Sequence, residues 1–237
     1  MTLTTLSVST SVIVGLCVFV VLLFSYMFDV TRYLKKAFAL GAGFTAASVL
    51  LFVLPAVYKI EATTGFFVLL GVIAVPVLHL LLFEAQPDAR RVTTPMAGLL
   101  SGARVAIIGL VYGAAVSLLG SDVFTVVIFG AAAFFVLAAE SLDVYTLLHF
   151  EGTRKSRVLL LTGPLALMPL IATLIVGSVL FVVLPELSLP FVGFAAGTML
   201  YSSVADRIHE ALRKRSWVEI GLAVLGASIA SLILVFL

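Results

Sequence analysis

The stretch "VFTVVIFGAAAFFVLAAESLDVYTLLHF", Val123 to Phe150, is apolar almost throughout and carries two acidic residues, Glu140 and Asp143. As a helix rising 1.5 Å per residue it reaches about 40 Å, more than the roughly 30 Å of a bilayer's hydrocarbon core. It reads as a membrane span, and the rest of the chain repeats the pattern.

Of the 237 residues, 62% are hydrophobic and only 11% are charged. Apolar runs of about twenty residues follow one another from end to end, the composition of an integral membrane protein. Eight helices are expected at roughly 9–28, 36–58, 64–83, 103–121, 123–149, 158–184, 188–208 and 217–237, forming a single transmembrane domain over 1–237. The N-terminal "MTLTTLSVST" has no basic region, and the run after it is too long for a signal-peptide core, so it is expected to remain as the first span. Cys17 is the only cysteine. It excludes a disulfide framework and a thiolate metal cluster.

The connecting segments set the orientation. "DVTRYLKK", "EAQPDARRVTTPMAGLLSGAR", "EGTRKSR" and "DRIHEALRKR", which follow the odd-numbered spans, hold every Lys and Arg except Lys59. The positive-inside rule then places both termini outside a cell membrane. Spread over short loops with no interleaved aromatics, these charges exclude nucleic acid as a partner and leave the lipid bilayer. No loop is long enough for a catalytic domain.

Two features bear on architecture. "FALG" at Phe38–Gly41 and "FAAG" at Phe194–Gly197 open similar segments in the second and seventh spans, which run in opposite directions, a weak echo of an inverted repeat. Small residues spaced four apart, Gly109 with Gly113, Gly193 with Gly197 and Gly226 with Ala230, suit close helix contact. In the sixth span Pro164 and Pro169 are expected to bend or open the helix.

Ionisable groups inside a bilayer cost about 2.5 kcal/mol or more each, so each requires a partner, a wet cavity or a function. Glu140 and Asp143 are one i,i+3 step apart and share a helix face. A bound cation or a shared proton would relieve their repulsion. A structural alternative is an Arg104–Glu140 ion pair, because the two positions come out at similar depth in the fourth and fifth spans. Asp206, His209 and Glu210 form a second polar cluster at the end of the seventh span, with Asp206 and Glu210 at i,i+4. Those types can ligate divalent metals, although a solvated turn screened by Arg207 explains them as well. His79 and His149 stand alone and read as packing residues.

An enzyme is not expected. The last span contains no lysine for a retinal Schiff base, Ser141 has no histidine at suitable depth, and no glycine-rich loop cradles a phosphate.

With eight spans, both ends outside and a polar fifth helix, the chain resembles the ZIP (zinc- and iron-regulated transporter-like) metal transporters. In that family the fifth helix carries H-E-I-P-E-G or H-E-I-P-H-E followed by a short basic S-G-x-S-R-x-x-A loop. Here "AESLDV" (Ala139–Val144) and "EGTRKSRVLL" (Glu151–Leu160) stand in those places. The family's seventh helix reads F-A-A-G-A-M-x-Y and ends in an acidic P-E-A, to which "FAAGTMLYSSVADRIHEA" (Phe194–Ala211) is similar. The second helix has G-V and then H-L-L-P-E-A, which "GAGFTAASVLLFVLPAV" (Gly41–Val57) resembles. The departures lie in the ligands. The family's fourth-helix H-N-x-x-D-G-x-x-x-G is "VYGAAVSLLG" (Val111–Gly120), with Val111, Tyr112 and Ala115 where the ligands would stand, and Ala139 replaces a histidine in the fifth.

The resemblance implies an inverted-repeat bundle, a possible homodimer and alternating access, with a divalent cation (zinc, manganese, iron or similar) or a proton as substrate and no covalent cofactor. The metal positions are then Glu140, Asp143, Asp206 and Glu210, with Tyr112, Ser117, Ser141, Ser202 and Ser203 as polar neighbours. Loss of histidines shifts such a site toward oxygen ligands and harder ions. The alternative is a ZIP-fold protein that no longer transports and serves a regulatory or assembly role, its carboxylates paired to Arg104.

Overall fold

The computed structural model describes residues 5–28, 31–55, 58, 64–83, 94–118, 123–150, 155–175 and 188–235. These residues are nearly all helical, as they must be where no water is present to satisfy the backbone. The helices are α1 (Thr5–Phe28), α2 (Thr31–Ser48), α3 (Thr64–Phe83), α4 (Thr94–Leu118), α5 (Val123–Phe150), α6 (Lys155–Thr162), α7 (Met168–Ile175), α8 (Ser188–Tyr201), α9 (His209–Arg213) and α10 (Trp217–Val235). Four of the described helical stretches, Leu6–Phe28, Lys36–Val53, Val123–Thr146 and Arg157–Ile175, are long and apolar enough to cross a membrane. Shorter apolar helices cover Thr64–Val77, Val105–Val116 and Trp217–Ile233.

Large apolar side chains such as Ile13, Phe24, Leu160, Trp217 and Val224 are exposed, while Ser11, Thr45, Glu140, Ser141 and Thr173 are buried. The core is apolar as well, so it is the breadth of the exposed apolar surface that departs from a water-soluble domain and suits a membrane-embedded one. α5 lies at the centre, packed on α1, α2 and α4. Its small residues Ala132, Ala133, Ala138 and Ala139 let those neighbours approach closely.

Three of the described helical stretches depart from plain α-helix. The one from α6 to α7 tightens into a 3₁₀ turn at Gly163–Leu167, with Pro164 in its first turn. Its prolines, expected to bend or open the helix, interrupt the α-helical ladder, to which they cannot donate, but the backbone there overwinds rather than opens. Nearby, the Thr173 hydroxyl donates to the carbonyl oxygens of Pro169 at 2.8 Å and Gly113 at 3.0 Å, and Ser11 Oγ meets it at 2.7 Å. The second and seventh spans widen into π turns. One is Val49–Val53, following α2; the other is Ser202–Ile208, joining α8 to α9. In them Leu54 N–H donates to Val49 O and His209 N–H to Val204 O, the i→i+5 bond of a π-helix.

Glycines set how these two spans pack. A Cβ at Gly43 would collide with the Ala223 carbonyl, and one at Gly226 with that of Leu40, so α2 and α10 cross backbone to backbone. Likewise a Cβ at Gly197 would collide with the Val68 carbonyl and one at Gly71 with that of Phe194, locking α8 to α3. The two crossings are equivalent when Gly43 is matched with Gly197, two residues away from the register that the "FALG" and "FAAG" tetrapeptides suggest. Gly193 faces Thr64 and Phe67, whereas Gly197, one turn on, faces Val68 and Gly71. Contact advances the same way along both helices, and α3 and α8 are therefore parallel.

The expected helix limits hold within a few residues for the third and fifth spans. The fourth begins earlier, at Thr94, and the seventh continues past 208 to Arg213.

Candidate functional site

The two π turns lie at opposite ends of α5. Phe52 in the first packs its ring against Phe124, with centroids 5.6 Å apart, at the start of α5. Arg207 in the second bonds through Nη2 to Asp143 Oδ2 at 2.5 Å. Phe124 and Asp143 are separated by about 28 Å of helix. Only the second turn meets the acidic face of α5.

There α2, α5 and the π turn after α8 line a cavity of about 10 Å³, with Thr45, Glu140, Ser202, Ser203 and Arg207 as its polar lining and Phe38 and Phe135 among its apolar walls. A volume of this order holds about one water molecule. Glu140 is 7% exposed and Ser203 only 1%. The Ser203 hydroxyl is buried with no hydrogen-bond partner among the described residues. Thr45, by contrast, donates to the Ala132 carbonyl at 3.1 Å and ties α2 to α5.

The π winding explains why Ser202 and Arg207 line one cavity. In an α-helix a residue five positions on lies about 140° round the axis. Closing the turn at i→i+5 brings it back to nearly the same side. The Arg207 side chain is only 14% exposed, while that of Asp143 is 45% exposed, so the pair bridges the buried cavity and its more open rim.

The sequence-derived site residues separate into distinct settings. Glu140 faces the cavity, and Asp143 stands at its edge on Arg207. Glu210 pairs with Lys214 one turn on, on the exposed side of α9, and His209 is exposed. The side chains of Asp206, Arg104, His79 and Ser117 lie outside the described residues, so the expected Arg104–Glu140 pair falls there too. Of the other polar neighbours, Ser202 and Ser203 reach the cavity. Tyr112 is instead fully buried in the α4–α5 contact, its ring 5.6 Å from that of Phe129. Ser141 is also fully buried, its hydroxyl without a partner among the described residues. His149 lies beside Tyr145, ring centroids 6.2 Å apart. Among the described residues no three His, Cys, Asp or Glu side chains gather as a metal cluster.

Sequence reasoning treated Arg207 as a surface screen for the end of the seventh span; its place opposite the α5 acids was missed. The available signal was its i,i+4 spacing from Ser203, which hinted that it follows the small and hydroxyl-bearing face of that span. Thr45 carried no such signal.

No family model matches the sequence, and no curated protein matches it either.

Proposed function

We propose that the chain is a ZIP-like transmembrane transporter of a divalent cation, with Glu140 and Asp143 as the carboxylates that receive it. The observation that carries this reading is the burial of Glu140, within an apolar helix, at a polar cavity where three spans meet and a serine hydroxyl lacks a partner. A carboxylate in such a setting is costly unless it is used. Because Glu140, Ser202, Ser203 and Thr45 offer oxygen only, the substrate class is a hard divalent ion such as manganese or magnesium, with protons as an alternative or coupled species.

The glycine crossings support an inverted repeat in which the second and third spans correspond to the seventh and eighth, as transporters use. The parallel run of α3 and α8 agrees with an odd number of crossings between them, the fourth to sixth spans. In this reading the chain crosses a cell membrane eight times with both termini outside, forms a homodimer, and moves its ion toward the cytoplasm by alternating access, the fourth to sixth spans shifting against the rest.

Uptake into liposomes loaded with metal-sensitive dye tests the reading. The wild-type protein is expected to admit at least one divalent ion, and Glu140→Gln to cut the rate at least tenfold while remaining folded. Flat traces for magnesium, manganese, zinc, iron, cobalt and cadmium would sink it. The Arg207–Asp143 pair favours a second reading, in which the acids are neutralised from within and the protein is a non-transporting regulatory or assembly partner. That reading requires silent traces together with unchanged stability in Glu140→Gln.

A further inference from the structure

We propose that Arg207 is a resident cation of the carboxylate site, a tethered guanidinium that holds the place of the substrate ion and must leave before a divalent cation can bind; the inference rests on the transport reading for its purpose but not for its test.

Three observations point to it. First, Arg207 bonds to Asp143 at 2.5 Å and also lines the cavity that Glu140 faces, so one guanidinium serves the site of both acids. Second, with Arg207 seated, the cavity of about 10 Å³ has room for about one water. A divalent ion such as magnesium, which dehydrates reluctantly and keeps several of its waters, needs more room than that. Third, the buried hydroxyl of Ser203 is left without a partner among the described residues, a donor-acceptor placed where an arriving ion or its water would find it.

The charge count follows. Glu140, Asp143 and Arg207 together carry one net negative charge when both acids are ionised. Withdrawing the guanidinium leaves two, the charge that a divalent cation neutralises. Exchange of arginine for metal thus replaces one positive charge beside the acids with two. The device that permits exchange is the π turn. Its i→i+5 winding brings Ser202 and Arg207 to one side, and reverting one turn to α geometry would part them by about 140° round the axis.

The experiment uses purified full-length protein in detergent and Mn²⁺ alone as the probe, read by calorimetric affinity and by Mn²⁺-dependent thermal shift. Arg207→Ser is expected to bind Mn²⁺ at least tenfold more tightly than wild type, and Arg207→Ser combined with Glu140→Gln to lose that gain. Arg207→Lys keeps the charge but not the bidentate fork. It serves as the second variant, expected to gain about threefold, and it remains informative if the serine variant does not fold. Unchanged Mn²⁺ affinity in folded Arg207→Ser or Arg207→Lys overturns the proposal, as does a gain that survives Glu140→Gln. Failure of the transport reading is distinguishable: silent wild-type liposomes with tight Mn²⁺ binding by Arg207→Ser leave the resident cation standing and remove transport. Active liposomes with no gain in the variant do the reverse.

Discussion

The helices α2 and α8 use the same backbone device for different ends. Each crosses a partner helix through a pair of glycines, then widens into a π turn, and the two turns bracket α5. The turn of the second span reads "VLLFV" and closes on α5 with two aromatic rings; that of the seventh reads "SSVADRI" and closes with an arginine on a carboxylate. The backbone is therefore the architectural element, and chemistry has been placed at one end of it. A π turn by itself indicates no function; one that carries serines and an arginine to a buried glutamate does.

If the glycine crossings are equivalent, breaking either has the same large effect. Gly43→Leu and Gly197→Leu each drive a side chain into a backbone carbonyl, and both are expected to lower stability by about 3 kcal/mol, the upper end for overpacking, in thermal unfolding in detergent. Gly221, which has nothing within 4 Å of an added Cβ, is the control and should accept leucine almost unchanged. Strongly unequal losses at positions 43 and 197 would break the comparison.

A smaller effect separates the two ends. A double-mutant cycle on Asp143→Asn and Arg207→Gln is expected to give a coupling of about 1 kcal/mol, held down by solvent at the half-exposed Asp143 and weakened further in high salt. The corresponding cycle on Phe52→Ala and Phe124→Ala should give a similar coupling with no salt dependence. Equal response to salt would mean that the ends do not differ as described.

The smallest effect lies just beyond the polar turn. After α9 the chain closes with Ser216 N–H on the Ala211 carbonyl and Arg215 N–H on that of Leu212, which puts Arg215 at a φ of 52°, a position suited to glycine. Arg215→Gly is expected to raise stability by about 0.5–1 kcal/mol in the same unfolding assay, by removing the strain of a left-handed non-glycine residue. A loss would show that the Arg215 side chain makes contacts outweighing that strain.

Much of the helical framework was legible because hydropathy and helical period are local properties. The limits of α3 and of the Val123–Phe150 helix follow from run length, and the interruption between α6 and α7 follows from Pro164. The candidate site was legible by half. Glu140 and Asp143 declared themselves by the cost of charge in an apolar run, and Ser202 and Ser203 by proximity in the seventh span. Arg207 did not, since counting depth along straight α-helices matched Glu140 with Arg104 and left Arg207 at a wet helix end. Glu210 lies on the solvated turn that the sequence allowed for it, paired with Lys214 at the i,i+4 spacing that any helix offers.

Sequence by itself determined that this is an all-helical, membrane-embedded chain, because apolar runs of bilayer length admit no other folded state. It also determined that two acids share one face of its central helix. Tertiary structure alone decided what those acids meet. Helix rotation and crossing depth are set by glycine contacts between residues far apart in the chain. A π turn then re-aims the side chains beyond it, and the packing of that turn against α5 decides that Arg207 meets Asp143.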